Sequence, residues 1–314
     1  MERTAVIFPG QGSQSVGMGR DVVQTSKRAR AVFDRANELL DFDLRQTCFE
    51  GPPEQLERTD IQQPAVFVTS VAIWEALLEA GGRRESFSWT GGLSLGEYTA
   101  LHIAGSVRFD EALRLVRRRG QLMQEAAVAS PGGMVSLIGA DEASARALCA
   151  RARQDEVLAL ANFNAPGQTV ISGSKGACER AVKLATEFRC SAVALAVAGA
   201  FHSPLMESAA SYLKPALDET MFVAPAMPVI ANVDAQKHGD AATIRDSLCR
   251  QVTQPVLWQR CIERMIEDGV GRFLEIGPGR VLTGLMRRKN RGVWAIAVNK
   301  ADSIPKALET LGAC

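Results

Sequence analysis

Ser94 stands in Gly92-Leu93-Ser94-Leu95-Gly96, between a strand-like run (Ser86-Phe87-Ser88-Trp89-Thr90) and a helix-like run from Leu95 to Gly105. A G-x-S-x-G serine on a sharp strand-to-helix turn has its Oγ pushed clear of the backbone, and the N–H after it is free to bind an oxyanion. The flanking glycines let strand and helix approach without Cβ clashes. The pentapeptide alone recurs by chance, so its placement is what marks Ser94 as a candidate nucleophile.

A serine nucleophile needs a base, and the chain holds three histidines. His102 lies beyond Ser94 on the same expected helix, about 12 Å along its axis at about 1.5 Å per residue, and reads as structural. His238, in Lys237-His238-Gly239-Asp240, reads as a solvated loop residue. Elimination leaves His202, in Gly199-Ala200-Phe201-His202-Ser203-Pro204 just before an expected helix, as the candidate base.

Two further clusters could assist. Gly10-Gln11-Gly12-Ser13-Gln14 directly follows the first expected strand, but no Gly-Lys-Ser/Thr occurs, and Ser15 stands where G-x-G-x-x-G needs its last glycine. A loop of backbone donors beside the elbow, supplying a second oxyanion N–H, fits better than a nucleotide loop. In Arg117-Arg118-Arg119, successive helical side chains diverge by about 100°. Arg117 and Arg118 read as a solvated stripe, whereas Arg119 can turn inward as a bidentate carboxylate clamp.

The surrounding elements must position these groups. Strand Ala5–Phe8, helices near 27–40, 63–80 and 109–128, and the elbow alternate as in a parallel sheet covered by helices on both faces. Between Ser130-Pro131-Gly132-Gly133 and Gly199 the expected order changes. Strand 134–139, helix 141–153, strands 157–163 and 168–173, helix 174–188 and strand 191–198 follow one another. That β-α-β-β-α-β order predicts a ferredoxin-like unit. The expected fold is α/β: an α/β-hydrolase-like body of residues 1–130 and 199–314 with a parallel sheet, and an inserted ferredoxin-like subdomain at 131–198. Strands are also expected at Pro228–Ala231, Arg272–Ile276 and Val293–Val298.

With 314 residues the chain can bury a sizeable core, and 46% hydrophobic against 23% charged residues is ordinary for a soluble protein. A net charge of +1 gives no electrostatic case for nucleic acid or a membrane surface. No stretch is expected to approach the roughly 20 apolar residues of a membrane span. Met1-Glu2-Arg3-Thr4 runs straight into a strand, so no leader is expected. The seven cysteines are scattered without C-x-x-C, which predicts reduced thiols in a cytoplasm and no zinc site.

Six ordered segments then carry a resemblance: Phe8 to Gln14, Gly92 to Tyr98, Arg119 to Gln124, Asn162 to Gln168, Gly199 to Ser203 and Glu275 to Gly279. Together they resemble the malonyl-CoA:acyl carrier protein transacylase family, polyketide-synthase acyltransferase domains included, over essentially the whole chain. The resemblance implies Ser94 as nucleophile and His202 as general base and acid. It implies backbone N–H groups of Gln11 and Leu95 in the oxyanion hole, and Arg119 pairing with the free malonyl carboxylate. A main-chain carbonyl at Gln251, rather than an aspartate, would orient the histidine. Gln63 and Asn162 would line the pocket, and Phe201 resembles malonyl-selective members. Leu93 departs from the His or Gln common at its position, removing one polar group near the site.

The implied reaction is ping-pong transfer of malonyl from malonyl-CoA to the phosphopantetheine thiol of an acyl carrier protein, for fatty-acid synthesis, without cofactor or metal. Carriers are generally acidic, so Arg287, Arg288, Lys289 and Arg291, or else Arg117 and Arg118, are candidate docking cations. A monomer is expected. Alternatives are a stand-alone acyltransferase of a polyketide pathway, a serine acyl-thioester hydrolase, and a non-catalytic carrier-binding protein.

Overall fold

A computed structural model describes residues 2–289 and 292–312. Its strands are β1 (Arg3–Phe8), β2 (Trp89–Gly92), β3 (Gly132–Ile138), β4 (Leu158–Ala165), β5 (Gln168–Ser174), β6 (Ser191–Ala194), β7 (Val270–Ile276) and β8 (Trp294–Val298). One sheet runs β2-β1-β7-β8, parallel throughout. Ala5-Val6-Ile7-Phe8 is wholly buried because β1 is central and covered on both faces. Val6 and Phe8 pack with helices Thr59–Glu79 and Phe109–Ala129, while Ala5 and Ile7 pack on the other side with helix Trp258–Glu267.

Parallel strands deliver their carboxyl ends to one edge, where ligands of open α/β sheets bind. The loop after β1, the elbow after β2 and the Gly277 turn after β7 therefore converge. A Cβ on Gly10 would lie 2.4 Å from the Leu93 carbonyl oxygen, so the first loop rests directly on the elbow.

The second sheet, β4-β5-β3-β6, is antiparallel and lies within residues 132–194. Helices Glu142–Arg153 and Lys175–Leu184 pack on it through Leu148, Ala177 and Ala181 against Leu137, Leu160 and Ile171. The expected β-α-β-β-α-β order is present, in the strand arrangement of a ferredoxin-like unit.

Several expectations need correction. The strand before Ser94 starts at Trp89, since Arg84–Ser86 forms a 3-10 turn. Pro228–Ala231 is not a strand: Val229 bridges Thr90 and Ile230 bridges Lys237, and Ala231 N–H then turns back to Gln236 O. Pro228 has no N–H with which to extend a ladder. β6 ends at Ala194 rather than Ala198, and Leu195, Ala196 and Val197 line a cavity instead. One helix, Thr59–Glu79, is long and apolar enough to cross a membrane, contrary to the expectation of none; 89% of its apolar window is buried within the protein. It is apolar on all sides because it is enclosed by other elements.

Candidate active site

Ser94 adopts φ 53° and ψ −102°, a conformation that costs energy for any residue with a Cβ. The surroundings enforce it. Ser94 N–H donates to Asn232 Oδ1 (2.7 Å), and Asn232 Nδ2 donates back to the Gly92 carbonyl (2.8 Å), clasping the elbow from both sides. A Cβ on Gly92 would lie 2.1 Å from the Gly96 carbonyl carbon, and one on Gly96 would lie 2.2 Å from Phe8 O. Those contacts are with backbone, which cannot swing aside. Gly96→Ala is therefore expected to destabilise the fold by about 3 kcal/mol, lowering the thermal midpoint by about 5 °C. A calorimetric midpoint equal to the parent's would mean that β1 and the elbow helix Leu95–Ile103 can separate.

His202 Nε2 lies 2.9 Å from Ser94 Oγ, and its Nδ1 lies 2.7 Å from the Gln251 carbonyl oxygen. A carbonyl only accepts, so Nδ1 carries the proton and the Nε2 lone pair faces the hydroxyl. Burial, then the nearby Arg119 charge, push the His202 imidazole down to about 4, against the opposing pull of the Gln251 hydrogen bond. His202 is thus neutral at physiological pH, as an acceptor of the Ser94 proton must be.

Arg119 is 1% exposed. Its guanidinium donates to Ser94 Oγ (2.9 Å), Gln251 Oε1 (2.9 Å) and Gln63 Oε1 (2.7 Å), all neutral acceptors. No carboxylate within ion-pair distance of it occurs among the described residues, and burial pushes its charged form out of favour. It also sits over the Tyr98 ring, 5.2 Å from the centroid.

Ser94 and His202 open into a cavity of about 470 Å³ lined by Gln11, Leu93, Met134, Asn162, Val170 and Phe201, drawing on both sheets. Leu95 begins the elbow helix, where an N–H has no intrahelical acceptor. Neither it nor the Gln11 N–H is taken by a backbone carbonyl among the described residues.

Most of the expected site residues converge here, with exceptions. Gln63 does not line the cavity: its neighbour Gln62 does, and Gln63 lies behind, against Arg119, because adjacent helical residues face different ways. His238 is not solvated; it is buried with Nε2 2.7 Å from Glu97 Oε1. Arg117 is not a free surface cation, since it is half-buried and ion-paired with Asp60 and Asp41. Arg118 and Arg287 are exposed, whereas Arg288, Lys289 and Arg291 lie outside the residues whose side chains are described. His102 is structural as expected, bonded through Nδ1 to Val107 O. The described cysteines are all free thiols; Cys314 lies outside the described residues. Asn232 was not anticipated, because a lone Asn after an apolar run carries no local signature of its contact 138 positions away.

An elbow serine, a carbonyl-oriented histidine and a two-sheet α/β frame form the geometry of an acyl-transferring serine site. The chain belongs to the acyl transferase family, whose acyl transferase domain matches residues 5–307. The malonyl CoA-acyl carrier protein transacylase of Bacillus subtilis (strain 168) is 40% identical over 313 residues, 99% of this chain and 98% of that protein. The crystal structure of an acyl carrier protein S-malonyltransferase from Vibrio cholerae superposes with a TM-score of 0.93 at 42% identity, covering 97% of this chain and 99% of that one. A malonyl-transacylase solved in complex with a type II PKS acyl-carrier protein gives a TM-score of 0.94 at 42% identity, covering 98% and 99%.

Proposed function

We propose that the protein transfers malonyl from malonyl-CoA to the phosphopantetheine thiol of an acyl carrier protein, for fatty-acid synthesis, acting as a cytoplasmic monomer. The observation that carries this reading is the buried Arg119 guanidinium, 2.9 Å from Ser94 Oγ and without an anionic partner among the described residues. An acyl group on that oxygen with a free carboxylate would supply the missing anion.

His202 Nε2 accepts the Ser94 proton as Oγ attacks the thioester carbonyl. The N–H groups of Gln11 and Leu95 hold the oxyanion while the C–S bond breaks, and His202 returns its proton to the departing CoA thiolate. The carrier thiol then gives its proton to His202 and attacks the serine ester, and Ser94 recovers the proton on leaving. No step uses a metal or cofactor. Leu93, Asn162 and Phe201 shape the acyl cavity. An acidic carrier would dock on exposed cations such as Arg118 or Arg287, with transient, salt-sensitive contacts.

The test is intact mass after brief exposure to malonyl-CoA, followed by a chase with holo carrier protein. A malonyl increment that moves to the carrier supports the reading; an increment lost as free malonate instead supports a hydrolase.

The pH profile offers a second check. Because His202 is depressed to about 4, its neutral form persists as pH falls, so kcat/KM should stay flat from neutral to about pH 5 and decline only as pH nears about 4. Replacing Arg119 by Met removes a charge that depresses the imidazole and should shift that limb upward. A limb near the ordinary histidine value of about 6.5 in the parent would contradict the buried, charge-coupled site.

A further inference from the structure

We propose that Glu97 and His238 form a buried positioning pair that holds the nucleophile's backbone and the histidine-orienting carbonyl in register. Glu97 is the third residue beyond Ser94, on the elbow helix; His238 arrives from the loop that follows Asn232. Both side chains are 1% exposed. The Glu97 carboxylate receives three donors: His238 Nε2 on Oε1 (2.7 Å), and Gln251 Nε2 (2.7 Å) and Asn232 N–H (3.1 Å) on Oε2.

The two inner donors are the residues that fix the reacting groups. Asn232 holds Ser94 N–H and the Gly92 carbonyl. Gln251 donates from Nε2 to Ser94 O (3.0 Å), accepts from Arg119 on Oε1, and offers its carbonyl to His202. A buried carboxylate that lost its outer partner would draw its inner donors toward itself. That change moves Gln251 and Asn232, and displacement of reacting groups by about 1 Å can cost on the order of a hundredfold in rate. His238 therefore acts through Glu97 on groups it does not touch.

His238 also lines a surface pocket of about 550 Å³, together with Asp234, Lys237 and Arg250. Removing the ring from that position is expected to open a hole toward this pocket. This gives the proposal a readout that a purely structural residue would not show, namely chemical rescue.

The inference rests on Ser94 being the acylated residue, so the parent protein is measured first: absence of its malonyl adduct would sink that reading and not this one. In single-turnover acylation by malonyl-CoA, His238→Ala is expected to slow adduct formation about tenfold or more with little change in KM. Added imidazole should restore most of the rate in His238→Ala and leave the parent unaffected. His238→Gln, which keeps an N–H donor toward Glu97, should retain most of the parent rate. The proposal is overturned if His238→Ala acylates at the parent rate, or if neither imidazole nor the glutamine variant recovers what alanine loses. Should the alanine variant fail to fold, Glu97→Gln carries the test, because an amide offers one acceptor oxygen to three donors. It should slow acylation by a similar factor while leaving the malonyl-to-acetyl ratio unchanged; parent-like acylation in that variant overturns the proposal.

Discussion

Replacing Ser94 by alanine is expected to remove the malonyl adduct from the intact mass and to lower transfer to the carrier by about 10⁴-fold or more. The size of the effect follows from the geometry. Ser94 Oγ is the oxygen against His202 Nε2, and the same oxygen receives the Arg119 donor. Without it no covalent intermediate can form, and the ping-pong route closes. The fold should survive, because the groups enforcing the left-handed elbow act on the backbone: Asn232 binds Ser94 N–H, and Gln251 binds Ser94 O. Alanine in that conformation is no more strained than serine. A malonyl adduct persisting in Ser94→Ala would place the nucleophile elsewhere, and digestion with mass mapping would find it.

The second large effect concerns selectivity. Arg119→Ala should lower kcat/KM for malonyl-CoA about a hundredfold or more, while acetyl-CoA is used no worse than by the parent. In the resting site the guanidinium donates through its two terminal nitrogens to Gln63, Gln251 and the Ser94 hydroxyl, all of them neutral. An acetyl group gives this buried cation nothing to pair with, whereas malonyl brings a carboxylate to it. The cost of leaving a buried charge unpaired thus falls on the wrong substrate. Removing the cation removes that penalty, so the ratio between the two substrates should collapse. Arg119→Lys should recover little, because an ammonium lacks the planar fork that engages two carboxylate oxygens. Equal falls for malonyl and acetyl would mean that Arg119 serves only to orient Gln251, and the clamp would be wrong.

What the sequence could reveal was set by range. The elbow at Ser94 was legible because its chemistry is local: two glycines permit a close approach, and a serine sits between strand and helix. The β-α alternation and the β-α-β-β-α-β insert were legible for the same reason, since hydrophobic period and turn residues are read within about 18 positions. His202 was reached only by eliminating the other histidines, and Arg119 by helical phase.

Local polarity misleads most clearly at His238. His238 lies in a polar tetrapeptide that looks solvated, yet it is buried against a carboxylate 141 positions away. Glu97 stands inside the recognised motif without announcing what it binds, and Asn232 and Arg117 owe their partners to segments distant in the chain. By itself, the sequence determined the β-α alternation of the first half, the element order of the insert and the nucleophile's turn, all governed by neighbouring residues. The tertiary structure alone decided how the polar groups behind that turn are satisfied. A buried donor or acceptor must find a partner wherever the packed chain brings one, and that choice is not written in the residues beside it.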